Sequence, residues 1–526
     1  MSSTLDDFQR GSREVAQQLR LLKTQVRELQ QHRVEVVEER GDYVEAKTLE
    51  EAELLARTGK AILINRPIVA KQGVYLESHQ PLQFGPQGMI MFNAPRARVT
   101  LDLPVINPGN KRIFFDEGAP LVEDYPNRWS GPLLGVAGTF GGTNIRDPRW
   151  WGLITHRATQ QSVASQRRVN VQAIHLAAQS RPFISGAAQP VIVQLPAGRI
   201  AQQHGIRLDG LKATLRGAGM GATILWGDGP WEFQHEDGIR TEHFDETVPM
   251  VELGYRRQGS GPNPDEGFMS RVDDLSIVCP LTPRKPITGV LIGESGWQEG
   301  GGMKNVGISN YSGYAVGAPK WQRLSHNGAD QGYYSQRNTV SMEGLWIVTP
   351  NAKFPGAIGV NMFGLNWSLR DSTIHHHSPG GYVNGPALIC GARECGKVEQ
   401  VHIEHKPQKD EVSPCVLLPN DGEASRMHFD GIYGWLAGNL APGVISETIR
   451  NENPNASLTC HNVNHRTGTT EPLNQNTICI HDVPRGKKSD GQWKPYSSKC
   501  VASYARQRPH GQNGQVTVVT TDPSLE

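Results

Sequence analysis

The 526-residue sequence has little that would tie it to a charged or oily partner. Its formal net charge is +1, so no overall field draws it to nucleic acid or to an anionic bilayer. No stretch reaches the roughly 18 apolar residues that a membrane span needs. The opening MSSTLDDFQRGSREV lacks the basic start and apolar core of a signal peptide. The expectation is a soluble chain made in a cytoplasm, with no membrane insertion and no nucleic-acid partner. Cysteines number seven, an odd count that points to reduced thiols rather than a disulfide framework. Cys390 and Cys395, in CGAREC, have the wrong spacing for a zinc knuckle. His375, His376 and His377 are consecutive, and strand neighbours face opposite sides, so at most two can share a site. Neither a metal nor a cofactor is expected.

Long helical patterns are also few, whereas Gly 58 and Pro 35 accompany only 37% apolar residues, a balance suited to many short strands joined by turns. The exception is residues 1–40. Leu5, Phe8, Ser12, Val15, Leu19, Leu22, Val26, Leu29, Arg33 and Val36 keep a 3-4 spacing between polar residues. One helix cannot bury such a seam alone, so a coiled-coil stalk of two or three chains is expected. Gly41 and Asp42 end it.

Residues 41–145 read as a small β-rich module, with one short helix in TLEEAELLARTGK where Thr48 and Glu51 fit a capping box. Then come RDPRWWGLI, a helical VNVQAIHLAAQS, the strand VIVQLPAG, and LRGAGMGATIL. GAGMGAT imitates a dinucleotide loop, but a strand pattern follows it where a phosphate site needs a helix N-terminus. The order Trp150-Trp151-Gly152, helix, V-x-L-P-A-G strand and glycine turn resembles the start of the pectate-lyase-like β-helices of phage tailspikes. That family carries an acidic D-G-x-x-D-D stretch before the helix, where this chain has THRATQQSVASQRR. The resemblance implies a mainly β chain: a right-handed parallel β-helix, or solenoid, over residues 146–484, preceded by the coiled-coil helix and closed by a cap or tail over 485–526.

Independently, a six-residue phrase recurs: VDDLSI, MKNVGI, MEGLWI, LRDSTI, VEQVHI, MHFDGI and LTCHNV, starting at 272, 303, 342, 369, 398, 427 and 458. Such a period is what one coil of a stacked solenoid requires. With the fourth and sixth residues inward, alternation sets the fifth, seventh and ninth outward, one coil above another at about 4.8 Å. The fifth column includes Trp346, Thr373, His402 and Gly431; the seventh, His375, Glu404 and Tyr433; the ninth, Pro280, Tyr311, Pro350, His377, Lys406 and Trp435.

That face suits a sugar, because aromatic rings pack on pyranose C–H surfaces and polar side chains bond hydroxyls. Trp346, His377, His402, Lys406 and Trp435 are the candidate substrate-binding residues. Glu404, assisted by His375 or Tyr433, is the candidate acid–base group. Hydrolysis needs two carboxyl groups about 5–9.5 Å apart, and only Glu404 stands in the central columns. Asp273, Asp274 and Asp371 fall where turns favour aspartate. The resemblance implies a tailspike or tail-fibre subunit of a virion, made in the host cytoplasm. It would be homotrimeric, joined through its N-terminus to a tail or baseplate protein, and bound to bacterial surface polysaccharide. Whether the chain cuts that glycan, as lyase or hydrolase, stays open. So do a non-catalytic receptor-binding or structural role and a bacterial polysaccharide lyase or hydrolase.

Overall fold

The computed structural model describes residues 43–467 apart from intervening segments, the longest being 117–134, 229–247 and 254–268, and beyond 467 the strands at 478–482, 501–503 and 516–520. The expected coiled coil, residues 1–40, lies outside the described residues. The described chain is mainly β, with large parallel sheets and two α-helices, α1 (Leu49–Arg57) and α2 (Ala164–Gln179). No described helix is long and apolar enough to cross a membrane.

Thr48 caps α1 as its spacing suggests, its Oγ1 accepting from Glu51 N at 3.2 Å. The return bond differs by one residue: Glu51 Oε2 accepts from Lys47 N at 2.7 Å rather than from the cap's own amide. Leu49, Ala52 and Ala56 bury one face of the helix.

The short strands after α1 already follow a stacking rule. Ile62–Ile64 pairs in parallel with Leu82–Phe84, which pairs with Val105–Ile106. Pro67–Ala70 pairs with Met89–Phe92 and then Phe114–Asp116, and Val74–Glu77 with Arg98–Asp102 and then Gly135–Ala137. Each strand therefore meets the third one after it, and three ladders run side by side.

Between this stack and the next, Arg146 is fully buried. Its guanidinium donates to Gly138 O at 2.6 Å, Thr143 O at 2.8 Å and Ser180 Oγ at 3.0 Å, and lies 3.9 Å from the Phe140 ring centroid. A buried guanidinium so supplied with acceptors pins three chain segments together. Trp150 and Trp151 pack with Phe114 and Phe140. Gly152 ends their 3₁₀ turn at φ +101°, a region that favours glycine. On α2, buried Asn170 accepts from Ile154 N and donates to Ala201 O, both at 2.9 Å, stitching the helix to the first strands of the larger sheet.

That sheet has 24 strands. Three parallel ladders again run through it, one visit to each per circuit of the chain. The first passes through Ala213–Arg216, the front of Arg271–Val278, the front of Gly302–Ser309, Val340–Glu343, and the 367–370 part of Ile358–His376. The second takes Thr223–Gly227, the ends of the 271–278 and 302–309 strands, Trp346–Val348, residues 373–376, residues 402–405 and Tyr433–Leu436. The third takes Val248–Leu253, Ile287–Ile292, Tyr314–Ala318, residues 358–362 and Leu388 onward. Ladder pairing continues to the C-terminal strands: Val501–Ser503 against residues 459–461, and Val516–Thr520 against Ile478–Asp482. After GAGMGAT a strand follows, Thr223–Gly227, and no helix.

Leu275 and Ile277, Val306 and Ile308, Leu345 and Ile347, Val401 and Ile403 are all buried, so the fourth and sixth phrase positions do face the core. The third position turns the chain from the first ladder to the second. Asp274, Asn305, Gly344, Asp371, Gln400 and Gly431 all have positive φ there. Asn305 Nδ2 also donates to Asp274 Oδ1 of the coil below at 2.9 Å. These aspartates are corner residues, as turn chemistry suggests.

Two details of the expected columns are corrected. Val398 pairs with Phe429, not Met427, and Phe429 with Cys460, so the sixth and seventh phrases begin two residues later than they read. Because the slip is even, Tyr433 keeps an outward position with a new neighbour, while Asp430 moves from the inward fourth position to the half-exposed second, before the Gly431 corner: Tyr433 stands opposite His402, and Trp435 opposite Glu404. Nor is the ninth column outward throughout. Pro280, Tyr311 and Pro350 are buried; before the last two, Asn310 and Thr349, at φ +61° and +52°, turn the chain inward.

Candidate functional site

The second ladder gathers the outward histidines, Glu404 and the aromatic rings. Trp346, Thr373, His402 and Tyr433 form one outer column, and Val348, His375 and Glu404 the next, because strict parallel register sets them opposite one another. His377, just past the strand end, reaches the same place. Glu404 is the hub: Oε2 accepts a hydrogen bond from His377 Nε2 at 3.3 Å, while Oε1 lies 3.5 Å from His402 Nε2 and 3.8 Å from His375 Nε2. Around it the His375 and His377 rings stack at 5.9 Å, and His402 meets His375 edge-on at 5.9 Å. The patch ends in aromatic rings, Trp346 set edge-on to His375 at 5.5 Å and Tyr433 edge-on to His402 at 5.0 Å. Trp346 is 48% exposed, large for an indole on a sheet.

The structure thus brings together Trp346, His375, His377, His402, Glu404 and Tyr433. Lys406 is half-buried past the end of the Glu404 strand. Trp435 is paired by backbone to Glu404, and its side chain lies outside the described residues. Burial holds the His375 imidazole below its ordinary pKa; the Glu404 charge opposes that shift, and His377 and His402 add to it. His375 is therefore neutral near pH 7, free to accept a proton or to bond through a lone pair.

Beneath this surface lies a feature that column counting missed. His376, between the two outward histidines, is fully buried. Its Nδ1 bonds Tyr311 OH at 2.8 Å, and its ring stacks on buried His405 at 5.3 Å. His405 Nδ1 in turn lies 3.4 Å from His376 O. Burial pushes the His376 pKa well below the ordinary value, with His405 adding to the shift. The signal was in the sequence: strict alternation puts the residue between two outward ones inside.

The acids at the second phrase position have a structural use. Glu343 bonds Arg370 of the next coil at 2.6 Å and Lys304 of the preceding coil at 3.1 Å, a charge-alternating column on the first ladder. Among the described residues, Glu404 is the one carboxylate in the two central columns of the second ladder.

Among family models and among curated proteins, none matches this chain. Among solved structures, ORF18 of Geobacillus virus E2 aligns at TM-score 0.38 and 11% identity over 68% of this chain, which spans only 57% of that viral chain. The A-module of mannuronan C-5 epimerase AlgE4 from Azotobacter vinelandii aligns at TM-score 0.33 and 13% identity, over 71% of this chain and 99% of the module. The AlgE6 A-module of the same organism gives 0.28 and 11%, over 72% and 100%. The neighbours thus include a phage chain and enzymes named for acting on a polysaccharide. No chemistry is carried over from them.

Proposed function

We propose that this chain is a phage tailspike or tail-fibre subunit, a right-handed parallel β-helix behind an N-terminal coiled coil, that grips a bacterial surface polysaccharide on its second ladder. The observation that carries the reading is the half-exposed Trp346 indole beside three imidazoles gathered on one carboxylate. An indole face covers pyranose C–H surface, and the histidines and Glu404 give directional bonds to hydroxyls. Successive coils repeat at about 4.8 Å, so a glycan laid along the ladder meets Trp346, His375, His402 and Tyr433 in turn. The heptad seam of residues 1–40 fits a homotrimer attached through its N-terminus to a tail or baseplate protein, assembled into the virion after synthesis in the host cytoplasm. Three copies multiply a weak contact.

Glu404 favours a second reading, in which the glycan is also cut. Because Glu404 is alone in its columns among the described residues, hydrolysis lacks its second carboxyl group there. Elimination from a uronate suits the face better, with Glu404 or His375 taking the proton and Tyr433 assisting the leaving oxygen. Incubation with host capsule or lipopolysaccharide tests both readings, with glycan chain length and retained binding as the measurements. Shortened chains that survive intact with Glu404→Gln support cutting by Glu404; unchanged chains with retained binding leave recognition alone. Absence of binding to any surface glycan overturns the proposal.

A further inference from the structure

We propose that His375, His377 and Glu404 form a binding site for a divalent transition-metal ion of the zinc class. One ligand atom from each, drawn from two neighbouring coils, lies within 4.8 Å of the other two. The carboxylate oxygens stand 3.3 Å from His377 Nε2 and 3.8 Å from His375 Nε2. An ion held at about 2.0–2.1 Å by tetrahedral ligands sets those ligands about 3.3 Å apart. The remaining edge, between the two imidazole nitrogens, is no longer than 4.8 Å, so side-chain movements of at most about 1.5 Å seat the ion. All three residues are half-buried, so little water is displaced in closing the site and the ion still has a way in. Two imidazoles and one carboxylate are a borderline-soft set that suits zinc, cobalt or nickel rather than calcium or magnesium, which take oxygen ligands. His402 Nε2 stands 3.5 Å from Oε1 and makes no hydrogen bond, so it is placed to become the outer partner of a metal-bound carboxylate.

Three protein ligands leave a fourth position open toward solvent, where water or a substrate oxygen binds. The site rests on the recognition reading only for what fills that position, a glycan carboxylate or hydroxyl beside Trp346. With the ion bound, Glu404 is a ligand and not the proton acceptor of the cutting reading.

The test uses the full chain, stripped with chelator and titrated with Zn²⁺ by calorimetry and with Co²⁺ by visible absorption. One ion per chain is expected, with the intense visible bands of four-coordinate cobalt. His375→Ala and Glu404→Gln should each weaken binding by more than the 10–100-fold that loss of an outer partner costs. His79→Ala, in the first stack, should leave it unchanged. Unfolding midpoints confirm that each variant is folded, and His377→Ala repeats the test at a residue beyond the strand end. Absence of stoichiometric binding, or binding indifferent to both Glu404→Gln and His377→Ala, overturns the site. Zinc binding without any glycan binding upholds this site and removes the recognition reading; glycan binding lost in Trp346→Ala, in a chain that takes up no zinc, does the reverse.

Discussion

Replacing Trp346 with alanine isolates the recognition reading, because the indole is set outward while Ile347 beside it belongs to the core. A large aromatic side chain offers up to about 250 Å², and 48% of Trp346 is exposed, leaving about 120 Å² for a ligand. At about 25 cal/mol per Å² that is a ceiling of about 3 kcal/mol. A sugar covers one face of the ring, so about half of it, or about 1.5 kcal/mol, is realised, which is roughly a tenfold change in Kd. The assay is calorimetry with an oligosaccharide fragment short enough to engage one site, since intact polysaccharide would compound the loss through avidity. Trp346→Tyr should recover most of the affinity, because the flat ring is what matters. An oligosaccharide Kd unchanged within twofold in a Trp346→Ala protein with a native unfolding midpoint would sink the claim that this face holds sugar.

Tyr311→Phe removes the bond to His376 Nδ1 inside the core and should cost about 1–3 kcal/mol, the penalty for stranding a buried polar group; urea unfolding measures it, and no loss would mean the bond is not made. His376 has a folded pKa depressed by burial, so the unfolded chain binds its proton first and stability falls as pH drops below about 6.5. The slope should approach about 1.4 kcal/mol per pH unit, and His376→Leu should flatten it; equal slopes in the two proteins would refute the assignment. Gly302→Ala adds a Cβ 1.9 Å from the Ser341 carbonyl oxygen at φ +141°, whereas Gly59→Ala at φ +69° meets nothing. Strain of about 1–3 kcal/mol applies to both, with a further 1–3 for crowding at Gly302 alone, so thermal unfolding should separate the two variants in that order.

The coil period and the inward positions were legible because the phrase carries its apolar residues at a fixed spacing, and Leu275, Ile277, Leu345 and Ile347 do meet in the core. The sixth phrase is misplaced by MHFDGI, whose methionine first and isoleucine sixth imitate the true pattern two residues early. The corner residue is the better marker: Gly431, like Gly344 and Asp274, occupies the positive-φ turn, and counting from it starts the phrase at Phe429. The stacking of residues 62–137 was hidden for another reason. Its strands run two to five residues, too short for alternation to repeat, so composition said β and the ladder order stayed unread. The face that holds Glu404 survived the misregistered phrase because the slip was even; a slip of one would have buried Tyr433.

Along the second ladder the sixth phrase positions are apolar and buried: Ile277, Ile308, Ile347, Ile374 and Ile403. Tyr311, His376 and His405 instead put polar groups into the core beneath the very strand ends that carry His375, His377 and Glu404. Burying them costs desolvation that an isoleucine would avoid. What they add is direction: Tyr311 OH on His376 Nδ1 fixes the ring, and His405 reaching toward His376 O ties one coil's strand end to the next. Apolar packing resists compression but tolerates sliding; hydrogen bonds resist sliding. Glu404 must sit within 3.3–3.8 Å of three imidazoles from two coils, an arrangement that a small slide of one strand end would undo. If the polar core holds the surface cluster in place, His376→Leu should weaken oligosaccharide binding by calorimetry as well as flatten the pH slope, and an unchanged Kd would separate the two.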